Sequence, residues 1–386
     1  MRDVMIAGIS QLPVGEHWDL SLRDMASRAI EAALLDAGGA LRPQAIYIGN
    51  FLGSVLSHQA NLGALVTDYA ALSGIEATTV EAAGASGGGA LRAAYLAVAS
   101  GWVDTVLVLG VEKYTDAIGS VQEYAASQAL DYDYESTAGM TATAQSALLM
   151  QRYLHQYGAP PDALAPFALI AHENAARNPN AMFRRAIRPA AYTSAEPVAD
   201  PLTIYDIAPY ADGAACLVLT AADTAPASLP HPPVLVRGSS VASDRLALHD
   251  RDDPLAFDAA RLSVERACSQ AGILPGDVDL FELSDAFSIY AALTLEAAGL
   301  APRGESWKMA AGGAFNLNGE LPILTMGGLK GRGNPLGATG VYQVVEAVLH
   351  LRGQAGENQI PNARLALVQS LGGPASTAVT HVLERR

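Results

Sequence analysis

Apolar runs of strand length alternate with helix-period segments through the first 110 residues of the chain. Val4–Ile9 reads as a first strand. Ser21–Gly38 reads as a helix, with Met25, Ala29, Ala33 and Leu34 at apolar positions and a glycine pair at its end. A short strand at Ala45–Gly49, a helix over Ala60–Leu72, a segment Thr78–Ala82 entering a tight turn and an all-apolar strand at Thr105–Gly110 follow. Continuous apolar strands between helices indicate a buried, mostly parallel or mixed sheet, hence an α/β protein. From Val111 to about Pro201 the alternation gives way to polar, helical segments that read as an insertion. They include an acidic, Tyr-rich patch, Asp131–Glu135, and a helix from about Thr141 to Tyr157. Strand grammar returns within Pro209–Ala221 and crosses a Pro-rich connection at Ala225–Pro233. Strand, helix and strand then repeat over Val234–Ser240, Ala256–Gly272 and Val278–Leu283.

The most informative stretch is Val80–Gly101. A β-branched run, Thr78-Thr79-Val80, enters the small-residue elbow Gly84–Gly89 and leaves as an apolar helix through Leu91, Tyr95 and Val98. A turn that sharp brings free N–H groups of a helix N-terminus to one point, where an anionic or carbonyl oxygen is stabilised. A second copy of the pattern lies near the C-terminus: an elbow at Gly333–Gly340, a helix at Val341–Leu351, and a strand at Leu365–Gln369 ending in Gly372 and Gly373. The chain is therefore an internal duplication. Its two elbow helices are expected to face each other at a shared pocket.

Composition narrows the chemistry. With 386 residues, half of them hydrophobic, the chain can bury a large core and form two domains. Acidic residues number 39 against 24 basic, for a formal charge of −15, and no Lys/Arg-rich run is present. That balance argues against nucleic acid or an anionic membrane as a partner. An anionic ligand must use a local patch, and Arg177, Arg184, Arg185 and Arg188 form the densest positive charge. They serve either a phosphate-bearing ligand or pairs with surface carboxylates. Cys216 and Cys268, in apolar contexts, read as buried free thiols of a reducing compartment rather than metal ligands. No apolar run approaches the roughly 20 residues of a membrane span. The N-terminus reads as a strand rather than a signal peptide, so a cytoplasmic location is expected.

Four motifs in order give the chain a family resemblance. They are VEAAGASGG around Gly84, the H-x-N-A-x-x-N-P-x-A-x-F-R pattern from His172 to Arg184, SDAFSIYAALTLEAAGL from Ser284 to Leu300, and GGLKGRGNPLGATGVYQ from Gly327 to Gln343. Over essentially its whole length the chain resembles the thiolase superfamily, in its archaeal and sterol-carrier-protein-type branch. The resemblance implies a five-layered α-β-α-β-α fold from two duplicated halves plus an inserted loop domain. The expected divisions are 1–116 for the first part of the N-terminal half, 117–201 for the loop domain, 202–230 for the rest of that half, and 231–386 for the C-terminal half. It also implies a coenzyme A thioester as substrate or ligand, with no metal and no other cofactor. The implied assembly is a homodimer or dimer of dimers. Implied partners are a small OB-fold acyl-CoA-binding protein and, in archaea, hydroxymethylglutaryl-CoA synthase.

The departures from that pattern bear most on function. In the family a cysteine of the first elbow is acylated. A histidine of the H-P motif deprotonates it, and a histidine or asparagine before D-A-F positions water or stabilises an enolate. Gly84, Asn334 and Ser284 occupy those positions here, and Leu324 and Thr325 stand where the family's N-x-x-G-G asparagine is expected. The cysteine-dependent cycle is therefore expected to be lost or altered, with the vacated thiol position leaving space for water or a bulkier acyl group. Asn334 is either an oxyanion donor or a turn residue, and Asp285 either a general base or, like Ser284, an N-cap. Ser86 is expected to stabilise the turn. Tyr290 and Tyr342 are proton shuttles or core aromatics. By resemblance the CoA ester would contact Ser86, Gly87, Arg184, Tyr290, Gly327, Gly328, Tyr342, Gly372 and Gly373. Three readings stay open: an acyl-CoA-binding protein of the acyltransferase family, a retro-aldol or aldol lyase on a β-hydroxyacyl-CoA, and a non-catalytic scaffold subunit.

Overall fold

A computed structural model describes residues 1–386. Its strands are β1 (Val4–Gln11), β2 (Ala45–Gly49), β3 (Glu76–Val80), β4 (Thr105–Glu112), β5 (Pro197–Ala199), β6 (Leu202–Thr203), β7 (Gly213–Ala221), β8 (Val234–Ser243), β9 (Leu280–Glu282), β10 (Leu365–Gly372) and β11 (Thr377–Arg385). Strands β5 and β6 form a separate ribbon; the other nine run in the order β3-β2-β4-β7-β1-β8-β11-β10-β9. The sheet is mixed. β2 pairs in parallel with β3 and β4, and β9 with β10, while the remaining pairs are antiparallel. Its two halves meet at a narrow seam, β1 against β8, through the pairs Met5↔Leu235 and Ile6↔Val234.

Two long helices, Ser86–Ala99 and Thr339–Arg352, lie between the half-sheets and touch strands of both. Helix Leu22–Asp36 covers the outer face of the first half-sheet and helix Asp258–Ala271 that of the second. The result is the five-layered α-β-α-β-α arrangement. Every residue of β4 and β7 is buried, as their largely apolar sequence requires for strands covered on both faces. Each Val or Leu so enclosed contributes roughly 1.5–3 kcal/mol. The first helix starts as its sequence predicts: Ser21 and Asp24 form a reciprocal capping box.

The glycines of the two elbows, with Gly110 of β4, permit backbone-on-backbone contact around the central helices. A Cβ on Gly87 would lie 2.8 Å from the Val341 nitrogen, one on Gly340 would collide with the Gly88 nitrogen, and one on Gly110 would lie 2.9 Å from the Ala338 Cα. Only residues without a side chain let the duplicated halves approach this closely.

Between β4 and β7 the chain forms helices Ser120–Ala126, Ala142–Tyr157 and Ala165–Ala175 with the β5–β6 ribbon. Thr141 caps the second of these, accepting from the Ala144 N–H at 3.1 Å. The second and third of these pack against helix Ser288–Ala297 of the second half, and Tyr153 donates to Glu296 at 2.6 Å across that contact. The expectation that Ser284 and Asp285 begin a helix is corrected. The helix starts at Ser288, behind Phe287, and no side chain caps it.

Candidate active site

The two elbows converge on a cavity of about 70 Å³, several water positions at roughly 10–15 Å³ each. The first elbow contributes Gly84, and the second contributes Asn334, Leu336 and Thr339. Ser284, Leu371 and Gly373 close one side, with Phe51, Phe287 and Tyr290 among the walls. Most of the lining is apolar, so the polar groups that remain face little competition from water.

Several hydrogen-bond donors at this cavity have no partner in the protein. The backbone N–H groups of Gly84 and Gly373 are unengaged. Asn334 accepts through Oδ1 from the Leu336 N–H at 3.2 Å and the Thr339 hydroxyl at 3.0 Å. Because a backbone N–H only donates, the atom facing it must be the amide oxygen. The Asn334 Nδ2 group is thus oriented away from those partners with both its protons unused. A set of fixed donors in an apolar cavity is suited to a carbonyl or enolate oxygen.

No thiol, imidazole or carboxylate lines this cavity; its titratable side chains are Tyr210 and Tyr290. Burial pushes the Tyr290 phenol up to about 12, and the Tyr210 phenol upward as well, so both stay protonated at neutral pH. Tyr290 accepts from the Ser146 hydroxyl at 3.0 Å, and Tyr210 donates to Glu123 at 3.0 Å. Ser284 is held in the frame, accepting from the Leu371 N–H at 3.1 Å and donating to the Gln369 carbonyl at 3.4 Å. The expectation of free space at Gly84 is corrected: a Cβ there would lie 2.6 Å from the Leu371 carbonyl oxygen. Backbone fills that place.

Several residues expected at the ligand are engaged elsewhere. Asp285 is fully buried and caps another helix, Gly328–Arg332, accepting from the Leu329 N–H at 2.6 Å and the Lys330 N–H at 3.4 Å. Desolvation raises its carboxyl above the ordinary value. It positions Leu329 beside the cavity rather than reaching into it. Ser86 braces the elbow, donating to the Ala83 carbonyl at 2.6 Å and accepting from the Ala82 N–H at 2.9 Å. Tyr342 is core, its hydroxyl on the carbonyls of Leu12 at 2.9 Å and Ala214 at 3.0 Å. Gly87 serves the helix crossing. Gly327 and Gly328 lie against Ala175 and Asp285, and Gly372 against the Ala82 carbonyl.

Arg184, Arg185 and Arg188 are exposed with no carboxylate within ion-pair distance, whereas Arg177 pairs with Glu173 at 2.9 Å. Asn174 and Asn178 of the His172–Arg184 motif tie the insertion to the second half, donating to the carbonyls of Leu324 at 3.0 Å and Met326 at 2.8 Å. Cys216 and Cys268 are buried free thiols, and burial raises the Cys268 thiol to about 11.

Sequence reasoning missed the buried carboxylates that hold the frame. Asp212 gathers Lys113 at 2.7 Å, the N–H groups of Tyr114 at 2.6 Å and Thr115 at 2.8 Å, and the His17 N–H at 3.0 Å. Glu112 has a similar place at the end of β4. An acid closing an otherwise apolar strand was the available signal. No group of three His, Cys, Asp or Glu side chains is placed to hold a metal ion. No helix is long and apolar enough to cross a membrane.

This layered, duplicated α/β architecture with a cavity between paired elbow helices defines a class of acyl-handling folds, and sequence comparison agrees. Residues 4–223 match the family model described as Thiolase, N-terminal domain, and residues 240–385 match Thiolase C-terminal domain-like. The chain belongs to the thiolase family. It is 40% identical over 387 residues to the acetyl-CoA acetyltransferase of Methanothermobacter thermautotrophicus, covering 100% of both chains. It is 35% identical to that of Methanocaldococcus jannaschii, covering 99% of both. A solved structure, the Ltp2-ChsH2(DUF35) aldolase, shares the fold with a TM-score of 0.85 at 24% identity, over 99% of this chain and 98% of that one.

Proposed function

We propose that this chain binds a coenzyme A thioester without forming a covalent acyl-enzyme. The carrying observation is the combination of unpaired donors at Gly84, Gly373 and Asn334 with the lack of any thiol, imidazole or carboxylate in the cavity they share. The thioester carbonyl would accept from these donors. The exposed, unpaired Arg184 with Arg185 and Arg188 would meet the phosphates of the nucleotide end. Gly84 stands where the family's acylated cysteine is expected, so cysteine-dependent acyl transfer is not its reaction.

A second reading is favoured by the same donors. In a retro-aldol cleavage of a β-hydroxyacyl-CoA, the Cα–Cβ bond breaks and its electron pair enters the thioester carbonyl as an enolate, which those N–H groups would stabilise. The β-hydroxyl proton must leave to a base. The cavity's own titratable groups are protonated phenols, so this reading needs a base from solvent or from a partner protein. The aldolase of the same fold is named as a complex with a DUF35 protein, which makes such a partner, beside a second copy of this chain, a reasonable search.

The test is calorimetric titration with CoA, acetyl-CoA and a β-hydroxyacyl-CoA, with product analysis afterwards. Tighter binding of the esters than of CoA supports the thioester site, and cleavage confined to the β-hydroxy ester supports the lyase. Absence of binding to all three overturns both in favour of a scaffold role.

A further inference from the structure

Glu112 closes β4 in the first half of the molecule, is fully buried, and has no basic partner. Its carboxylate instead gathers four N–H groups from two separate segments. Oε1 accepts from Asn50 Nδ2 at 2.8 Å and the Leu52 N–H at 3.1 Å, and Oε2 from the Phe51 N–H at 2.9 Å and the Gly337 N–H at 3.1 Å. Four N–H donors match the acceptor positions of the ionised carboxylate, the form present at pH 8, above the value of about 7 to which burial raises this group.

The two segments held this way abut each other in the wall of the cavity. Phe51 belongs to the first half; Gly337 follows Leu336, and both Phe51 and Leu336 line the cavity with Asn334. The approach is close enough that a Cβ on Gly337 would lie 2.6 Å from the Phe51 nitrogen and 2.7 Å from Glu112 Oε2. One carboxylate from the first half therefore sets how far the second elbow, with its Asn334 amide, stands from the wall carrying Phe51.

We infer that Glu112 is a positioning residue that holds closed the wall of this cavity, whose volume of about 70 Å³ has room for only a short acyl group, by joining Phe51 to the Leu336–Gly337 turn without touching the ligand. The inference rests on the thioester-site reading above and adds to it the class of ester, short-chain. A merely structural role would weaken all ligands alike, whereas a clamp is felt by the acyl group and not by the nucleotide end.

The experiment measures, at pH 8, the affinities of CoA, acetyl-CoA and hexanoyl-CoA for the wild type, Glu112→Gln and Glu112→Asp, beside urea unfolding of each. In Glu112→Gln the amide would turn N–H toward two of the four donors and loosen the junction of the two segments. The expected result is free-CoA affinity within about twofold of wild type, loss of at least tenfold in the preference for acetyl-CoA over CoA, a gain for hexanoyl-CoA relative to acetyl-CoA, and partial recovery in Glu112→Asp. If Glu112→Gln does not fold, Gly337→Ala wedges the same contact from the other side and is read by the same ratios. Equal loss for CoA and both esters, or unchanged ratios, overturns the clamp alone. Failure of the wild type to bind any of the three overturns the thioester site and the clamp together.

Discussion

Replacing Gly84 by cysteine puts back the side chain that the family pattern expects, and the structure predicts that the chain resists it. The new Cβ would stand 2.6 Å from the Leu371 carbonyl oxygen, about 0.4 Å inside the 3.0 Å that real Cβ atoms respect. Gly84 has an ordinary negative φ, so the conflict is steric and not conformational. The carbonyl cannot swing aside freely: Leu371 is registered against Ala378 in β11, and its N–H is bound to Ser284 at 3.1 Å. Overpacking of this kind costs roughly 1–3 kcal/mol, a five- to 150-fold rise in the unfolded fraction. The thiol would also lack a base, because the neighbouring polar groups are Asn334, Ser284 and protonated phenols. Only a few per cent of an unassisted thiol is thiolate at neutral pH. Urea unfolding of Gly84→Cys should show the lower midpoint, and CoA-dependent cleavage of acetoacetyl-CoA should stay near background. A variant as stable as wild type that turns over acetoacetyl-CoA repeatedly would refute both the packing and the missing-base arguments.

Other expectations follow from the same structure. Asn334→Ala removes a single neutral donor, worth about 0.5–1.5 kcal/mol, so acetyl-CoA affinity should fall about two- to twelvefold in calorimetry with free CoA unaffected. Arg184→Ala should weaken CoA and acetyl-CoA by one common factor, roughly tenfold, or about 1.4 kcal/mol. Arg332 and Glu346 form a 2.7 Å ion pair with neither side chain exposed; Arg332→Met strands the carboxylate and should cost about 3–5 kcal/mol in chemical unfolding. Stability should also respond to pH in two opposed ways. Burial lowers His172, His350 and His381 to about 4, so the unfolded chain binds their protons first and stability is lost as pH falls from about 6.5 towards 4. Burial raises Glu112 to about 7, and Glu282 upward with the added repulsion of Glu346, so the folded chain holds those protons and stability is lost as pH rises from about 4.5 through 7. The urea midpoint should be nearly level between pH 4.5 and 6.5 and decline above it; a midpoint that climbs from pH 6.5 to 8 contradicts this assignment.

Much of the architecture was legible because burial writes itself into composition. Strands such as Thr105–Glu112 are apolar on both faces only when helices cover both faces, and the helix starts at Ser21 and Thr141 carry their capping residues in the sequence. The paired elbows were readable as a duplication, and the cavity indeed has Gly84 on one elbow and Asn334 on the other. Other assignments were out of reach because they depend on partners remote in the chain. Asp285 has the look of an N-cap at its own position, yet the helix it caps begins over forty residues later, at Gly328. Tyr342 sits beside the second elbow in sequence, but its hydroxyl points to carbonyls of β7 and the segment after β1.

The sequence by itself determined the α/β alternation and the paired elbows, through periodicity, and the chemical inventory at the elbows, through which atoms each residue carries; the layered fold and the family were implied by the resemblance of its four motifs. Tertiary structure alone decided what that inventory can do. The space beside Gly84 is filled by a carbonyl from β10, and the donors of Gly84, Gly373 and Asn334 meet at one cavity. Part of the wall of that cavity is joined by Glu112, which holds Phe51 and Gly337 on one carboxylate oxygen. The reason is physical: steric exclusion and hydrogen bonding act over about 3 Å, and which atoms come that close is fixed by packing of segments that lie more than two hundred residues apart in the chain.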